Sequence, residues 1–458
     1  MRKPKTAVIS TNIVVLLYAL QTRCFDCVTF RPKTSSSSRS SAFGSVWEVR
    51  ESKTNVFSGI GNSNSGIGDN DNYLLASLKK RADELEIQNE ALLSRWKNAK
   101  CISKARLVID DWVRRVSLGK WPYLVMGSAR GSIYLADCNT CKVVAEVKEV
   151  HNAEGGNEEA LRYLYGPYDG GGTLAIAMSG NVIASAGREG GVKVFHVTVT
   201  EEDVKNPTQK KIVPVGDIPS LKGSLVTSLL LDTEQKLWVG SYDGTLHMFD
   251  LDYGSAQKNA TLRVESGVLC VDVNTDIGLV VCGMKNGSVK MFSVDGAVLA
   301  LWKPFSSTHV RSVKIVGGPD DSSWCVVAGG GDGNLMARQL LVDSTGTIET
   351  VPFDNKRGTM EFSPPHGGTV VAMAERSGGL LITGAQDGTI RVWDCWQKSS
   401  VSDDSNYSSF QVKPEVLYNF VGYKVWLGSI CNDGNCLLSD GSDNSIIVHD
   451  FTVPINYD

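Results

Sequence analysis

Six histidines, eleven cysteines and a recurring set of acids beside turns are the residues through which this 458-residue chain could do chemistry. The cysteines include two C-x-x-C pairs, Cys24/Cys27 and Cys138/Cys141. A structural zinc site needs four ligands, commonly two such pairs, and no partner pair stands at recognisable spacing from either. Cys138-Asn139-Thr140-Cys141 reads first as a plain turn, with a redox-sensitive dithiol or a metal site as alternatives. Two Gly-rich segments, GPYDGGGT (166–173) and VAGGGDGN (327–334), would cradle phosphate only if each followed a strand and opened a helix. Both lie between strand-like runs. No P-loop, dinucleotide fingerprint, G-x-S-x-G elbow or H-E-x-x-H pair is present. The acids Asp243, Asp332, Asp387 and Asp443 each precede a Gly or Asn, where hairpin turns favour them. They are therefore read as turn residues, and the expectation is no catalytic residue, no cofactor and no metal.

The elements that position these residues form a repeat. An apolar strand, a Gly-rich turn and an alternating strand recur seven times: VMGSARGSIYLAD, ASAGREGGVKVFH, VGSYDGTLHMFD, VCGMKNGSVKMFS, VAGGGDGNLMARQ, ITGAQDGTIRVWD and LSDGSDNSIIVHD. The turn markers are Gly131, Gly191, Gly244, Gly287, Gly333, Gly388 and Asn444, at intervals of 60, 53, 43, 46, 55 and 56 residues. Intervals near that size are those of four-stranded propeller blades. Asp-Gly and Asn-Gly suit a two-residue type I′ hairpin, which needs positive φ at both central positions. Thr389, Ile390, Arg391, Val392 and Trp393 then alternate with the period of a strand. The runs before the turns are continuously apolar, as in strands buried on both faces. The fold expected is all-β: a seven-bladed propeller over residues 101–458, with an N-terminal α-helix and a disordered leader.

These segments resemble WD repeats, and GAQDGTIRVWD is close to that family's consensus ending. The resemblance implies a structural hydrogen-bond chain of His366, Thr383, Asp387 and Trp393 in the sixth blade. His309 could begin a partial version in the fifth. Elsewhere Ala136, Phe249 or His449 stands where the Trp would be. Only seven residues follow the seventh blade's third strand, so residues 104–109 are expected to supply its outermost strand, with 452–456 as the alternative. Three insertions interrupt the repeat, at 201–221, 343–363 and 397–413. The resemblance further implies a binding surface on the ring, with Arg311 and Tyr423 as possible contacts.

Composition narrows the partners. Residues 1–42 hold seven Lys/Arg and one Asp, a net of +6, so the overall charge of −4 leaves −10 on the remainder. Nucleic-acid binding rests on phosphate neutralisation by Lys and Arg, and an acidic domain without a basic cluster argues against it. The cysteines are dispersed rather than arranged as a disulfide framework. Cys270, Cys282, Cys325 and Cys436 fall in apolar runs, where thiols behave as small hydrophobes.

Residues 1–24 have the basic start and 14-residue apolar stretch of a signal peptide, too short to span a bilayer. Residues 25–50 are Ser-rich and basic, like a transit segment. Together they resemble the bipartite presequences of algae with secondary plastids; the secretory pathway and the cytosol are the alternatives. Residues 51–72 read as a flexible linker. No integral membrane segment is expected in the mature chain.

Residues 73–100 carry a helical seam. Leu75, Leu78, Ala82, Leu85, Asn89, Leu92 and Trp96 recur at alternating spacings of 3 and 4, an a/d stripe with Asn89 and Trp96 at a. This short possible coiled coil could pack on the propeller, form a homodimer or take another partner. The function expected is a non-enzymatic scaffold for proteins or peptides. One alternative is a ubiquitin-ligase substrate receptor, against which Trp393-Asp394-Cys395-Trp396 lacks the Arg of the Trp-Asp-x-Arg motif. The other is a propeller enzyme.

Overall fold

The computed structural model describes residues 69–151, 157–165, 172–199, 210–218, 221, 223–252, 255–320, 322–342, 348–349, 359–398, 410–423, 427–440 and 444–453. The expected signal, transit and linker segments (1–24, 25–50 and most of 51–72) lie outside them.

Seven antiparallel sheets form a propeller. Each blade runs from an innermost to an outermost strand, beginning with Val113–Leu118, Thr173–Ser179, Val226–Leu231, Val268–Asn274, Val310–Gly317, Val370–Arg376 and Ile430–Asn432. The second strands are sealed between neighbouring blades. Val182–Gly187, Leu279–Met284 and Leu380–Ala385 are buried along their whole length, as their unbroken apolar runs require. Second-strand glycines let the blades close up. A Cβ on Gly283 would fall 2.5 Å from Val310 of the next blade, and one on Gly127 would fall 2.4 Å from Thr173.

The ring closes with Ile102–Arg106 as the seventh blade's outermost strand, pairing Ile102 with Asp450 through to Arg106 with Ile446. This is the upstream segment expected, two or three residues earlier. The three insertions are partly outermost strands: Lys210–Asp217, the pair Ile348–Glu349 and Thr359–Glu361, and Phe410–Phe420.

All seven turn markers have positive φ, from 61° at Asn444 to 88° at Gly333. The type I′ expectation is corrected in one respect. Asp243, Asn286, Asp332 and Asp387 are not in the left-handed region. Each instead accepts the backbone N–H two residues on, as Asp387 Oδ1 does from Thr389 at 3.0 Å. The acid serves as a side-chain acceptor that closes the turn, and only the following residue is left-handed.

Strand direction defines two faces. The upper face carries the blade-to-blade connections and the second-to-third-strand turns; the lower face carries the remaining turns. An N-terminal helix, Asp69–Lys97, meets the lower face, and a short helix, Glu158–Tyr165, lies on the upper. No helix among the described residues is long and apolar enough to cross a membrane.

Candidate functional site

The innermost strands of all seven blades surround a central cavity of about 460 Å³. Its charged lining includes Arg115, Asp272, Arg311, Lys314 and Glu375, and Arg115, Asp272, Lys314 and Glu375 staple neighbouring blades together. Lys314 Nζ meets Asp272 Oδ1 at 2.7 Å, while Asp272 Oδ2 accepts the Ile315 N–H at 2.8 Å. Burial disfavours the Lys314 ammonium, but the Asp272 carboxylate outweighs it and the pKa rises. Glu375 accepts the Gly317 N–H at 2.9 Å, and Arg115 Nε donates to the Leu174 carbonyl at 2.7 Å. Each carboxylate is thus engaged by a neighbouring blade's donor. Arg311, expected on the ring surface, lines this cavity because it is the second residue of an innermost strand.

Asp440 is almost fully buried and accepts the N–H groups of Gly428 and Ser429 at 2.6 and 3.0 Å. Burial pushes its carboxyl up to about 7 against those bonds and Arg115. Burial also pushes the thiols of Cys270 and Cys282 up to about 12, away from nucleophilic use. Cys138 and Cys141 flank a turn closed by Asp137, whose Oδ1 accepts the Asn139 N–H. No group of three metal-ligating side chains is found among the described residues.

The sixth blade holds a polar chain. Trp393 Nε1 donates to Thr383 Oγ1 at 2.9 Å, and that hydroxyl meets His366 Nε2 at 2.8 Å. The Asp387 carboxylate beside the ring only accepts, which assigns the imidazole proton to Nδ1 and leaves Nε2 to accept from the Thr383 hydroxyl. Nδ1 of His366 faces Thr389 Oγ1 at 3.1 Å and Asp387 Oδ2 at 3.4 Å. Burial, helped by the Arg391 charge, holds His366 at about 4 and keeps it neutral.

Two further blades place polar groups at the same register positions, and neither was visible from the sequence. In the second blade, His151 Nε2 meets Ser185 Oγ at 2.8 Å and Nδ1 meets Glu189 Oε1 at 2.6 Å, with Phe195 at the Trp register. In the seventh, Tyr423 Oη meets Ser439 Oγ at 3.1 Å and His449 Nε2 at 2.9 Å. His449 Nδ1 continues to Ser103 Oγ at 2.7 Å. Tyr423, expected as a surface contact, is therefore tied by its hydroxyl into the blade. His309 does not begin such a chain. It directly precedes the innermost strand, and its Nδ1 meets Tyr163 Oη at 3.2 Å.

The helix Asp69–Lys97 uses only part of its seam on the ring. Trp96 is fully buried, stacks on Phe451 at 3.8 Å and donates Nε1–H to the Gly434 carbonyl at 2.8 Å. Leu92 joins the same core between the sixth and seventh blades. Arg95 donates to the carbonyls of Phe451 and Thr452, and Lys97 pairs with Asp394 at 2.7 Å. Leu85 (50% exposed), Ile87 (65% exposed) and Asn89 stay in solvent. The helix is thus docked on its own propeller by its last turns, and the described seam positions Ala82, Leu85 and Asn89 are exposed. Leu78 lies in the same helix, but its side chain is outside the described residues.

The short helix on the upper face was missed. Its apolar residues Ala160, Leu161 and Leu164 pack on Leu174, Leu225 and Leu269, the upper ends of three successive blades. The sequence signal was the 60-residue interval between Gly131 and Gly191, the longest of the six.

Residues 361–394, which include most of the sixth blade, match the family described as WD domain, G-beta repeat. No curated protein matches the chain. Among solved structures, the chain is similar to the computationally designed Ika8 protein at 18% identity, covering 76% of this chain and 100% of that one with a TM-score of 0.47. The repeat match in the sixth blade, on a ring of seven such blades, supports placing this chain in the WD-repeat propeller family.

Proposed function

We propose that this chain is a non-enzymatic scaffold that holds protein or peptide partners on two separate surfaces, the upper face of the ring and the exposed stretch 79–91 of the N-terminal helix. The observation that carries this reading is the half-used helix. Helix stability comes mainly from packing an apolar stripe. Here Trp96 and Leu92 are buried while Leu85 projects into water. A stripe buried at Leu92 and Trp96 and exposed at Leu85 fits a second contact, with another protein or a second copy of this chain. Two sites on one rigid body raise the effective concentration of their partners for each other. The engaged state of the central carboxylates supports binding over catalysis. The signal- and transit-like composition of residues 1–50 supports a plastid address.

Affinity purification of the tagged full-length chain from its own cells tests this reading, beside a Leu85→Asp/Ile87→Asp variant that keeps the docked turn. Partners recovered with the full chain, a subset of them lost with the variant, are expected. Cullin subunits in the eluate would replace this reading with the ubiquitin-ligase receptor. A fluorescent fusion to residues 1–50 that stays cytosolic would remove the plastid address.

A further inference from the structure

We propose that the helix Glu158–Tyr165 is an intramolecular stand-in for a helical partner, and that the upper-face groove beneath it takes an amphipathic α-helical peptide when this helix swings out. The proposal rests on the scaffold reading and names the chemistry one of its surfaces recognises. Ring closure does not require the helix. The first-to-second blade connection spans residues 148–172, whereas the third-to-fourth spans 264–267 and the fourth-to-fifth 303–309.

The seating is that of a ligand. Asn157 Oδ1 caps the helix by accepting the Ala160 N–H at 3.1 Å. Ala160, Leu161 and Leu164, at i, i+1 and i+4, are buried, while Glu158, Glu159 and Arg162 face solvent. The groove supplies one leucine from each of three blades: Leu174, Leu225 and Leu269. Tyr163, 44% exposed, closes the edge. Its hydroxyl meets His309 of the fifth blade at 3.2 Å, and Lys285 Nζ lies 4.7 Å above its ring and 4.9 Å from that of Tyr242. Lys285 also donates to Tyr242 Oη at 2.5 Å, so this cation stays in place without Tyr163.

Among the described residues no backbone hydrogen bond joins the helix to the ring. Among the described residues three apolar side chains and one tyrosine hold it, and eight residues are too few for a helix to stand alone in water. Release from the groove therefore unfolds the segment locally, the low-stability opening common in binding elements. The partner that fits is a helix with Ala or Leu at i, i+1 and i+4 and an aromatic side chain at i+3 for Lys285 and His309.

The test uses the full chain and a fluorescein-labelled peptide of residues 157–165. A Leu161→Asp/Leu164→Asp variant vacates the groove in cis. It should bind the peptide about tenfold more tightly than the wild type, whose groove is occupied most of the time. Adding Leu225→Asp should abolish that binding. Equal binding by wild type and variant, or none by a variant whose ring still melts normally, would overturn the proposal. Should the variant not fold, site-resolved thiol labelling of Ala160→Cys decides. Labelling about a hundredfold faster than that of the fully buried Cys325 marks local opening, and equal rates would show that the helix leaves only when the ring unfolds. Partner capture by the full chain reads the scaffold separately, so either claim can fail alone.

Discussion

In the sixth blade, His366 reaches down from the upper loop to Thr383, which also accepts a hydrogen bond from the Trp393 indole N–H. In the seventh, Tyr423 reaches from the matching loop to Ser439 and His449, and the chain ends on Ser103, in the outermost strand that the N-terminal side of the chain supplies. The register is the same. Thr383 pairs with Arg391 and Leu381 with Trp393, just as Ser439 pairs with Ile447 and Leu437 with His449. What these two blades share at this place is a loop ring, a second-strand hydroxyl and a third-strand ring joined by hydrogen bonds. Buried polar groups must be paired, but which aromatic ring pairs them is open. The difference lies in what each chain secures. The sixth blade's chain ties its own strands to its own loop, whereas the seventh's ties the N-terminal strand into the ring.

The largest effect that could break this comparison is Trp393→Ala. The ring is fully buried and meets Phe362 edge-on at 5.0 Å. Its removal leaves a cavity and takes one of the two hydrogen bonds of Thr383, so a loss of about 3–5 kcal/mol is expected in urea unfolding. That is a large share of a typical domain's stability. His449→Ala removes a smaller ring whose partners Tyr423 and Ser439 remain bonded to each other, so about 1–3 kcal/mol is expected. Equal losses would show that the seventh blade depends on its ring as fully as the sixth.

The blades were legible because each contains a left-handed turn residue between two strands, a local signal that needs no partner. The closing strand was legible because the seventh blade lacked one. The chains of the second and seventh blades were not, because a pattern seeking His with Trp passes over His151 with Phe195 and Tyr423 with His449. Arg311 and Tyr423 were placed outward because the loop-to-strand boundary is uncertain by a residue or two. One step past Val310 turns a side chain from the face into the cavity. Helix Glu158–Tyr165 is eight residues in a long connection, too short for periodicity to stand out. The N-terminal helix was legible from its 3-and-4 spacing, and the ring buries Leu92 and Trp96 of that stripe. How much of it docks depends on where Phe451 and Gly434 lie, which only the ring can place.

Acid sharpens the comparison, because both blades hold a neutral histidine. Burial keeps His366 and His449 at about 4, below the 6.5 of an exposed imidazole. The unfolded chain therefore binds more protons between pH 6.5 and 4, and stability falls as pH drops through that window, by about 3 kcal/mol per ring. Asp440 has the opposite sign. Its carboxyl, raised to about 7, takes up a proton in the folded state first and adds stability as pH falls from 7 toward 4. Asp440→Asn should steepen the acid loss in melting temperature against pH. A shallower loss would mean that its two N–H donors keep the native carboxylate ionised.

The smallest change tests the feature the sixth blade lacks. Ser103 is exposed, yet its hydroxyl meets His449 Nδ1 at 2.7 Å across the strand that closes the ring. Five residue pairs from Ile102 to Arg106 already hold that strand, so Ser103→Ala should cost only about 0.5–1.5 kcal/mol. The site of the loss matters more than its size. Hydrogen exchange should rise in residues 102–106 and in Ile446–Asp450 while the sixth blade keeps its protection. A loss spread evenly over all blades would mean that the ring opens as one unit. The bond from Ser103 to His449 would then be one contact among many and not the latch of the closing strand.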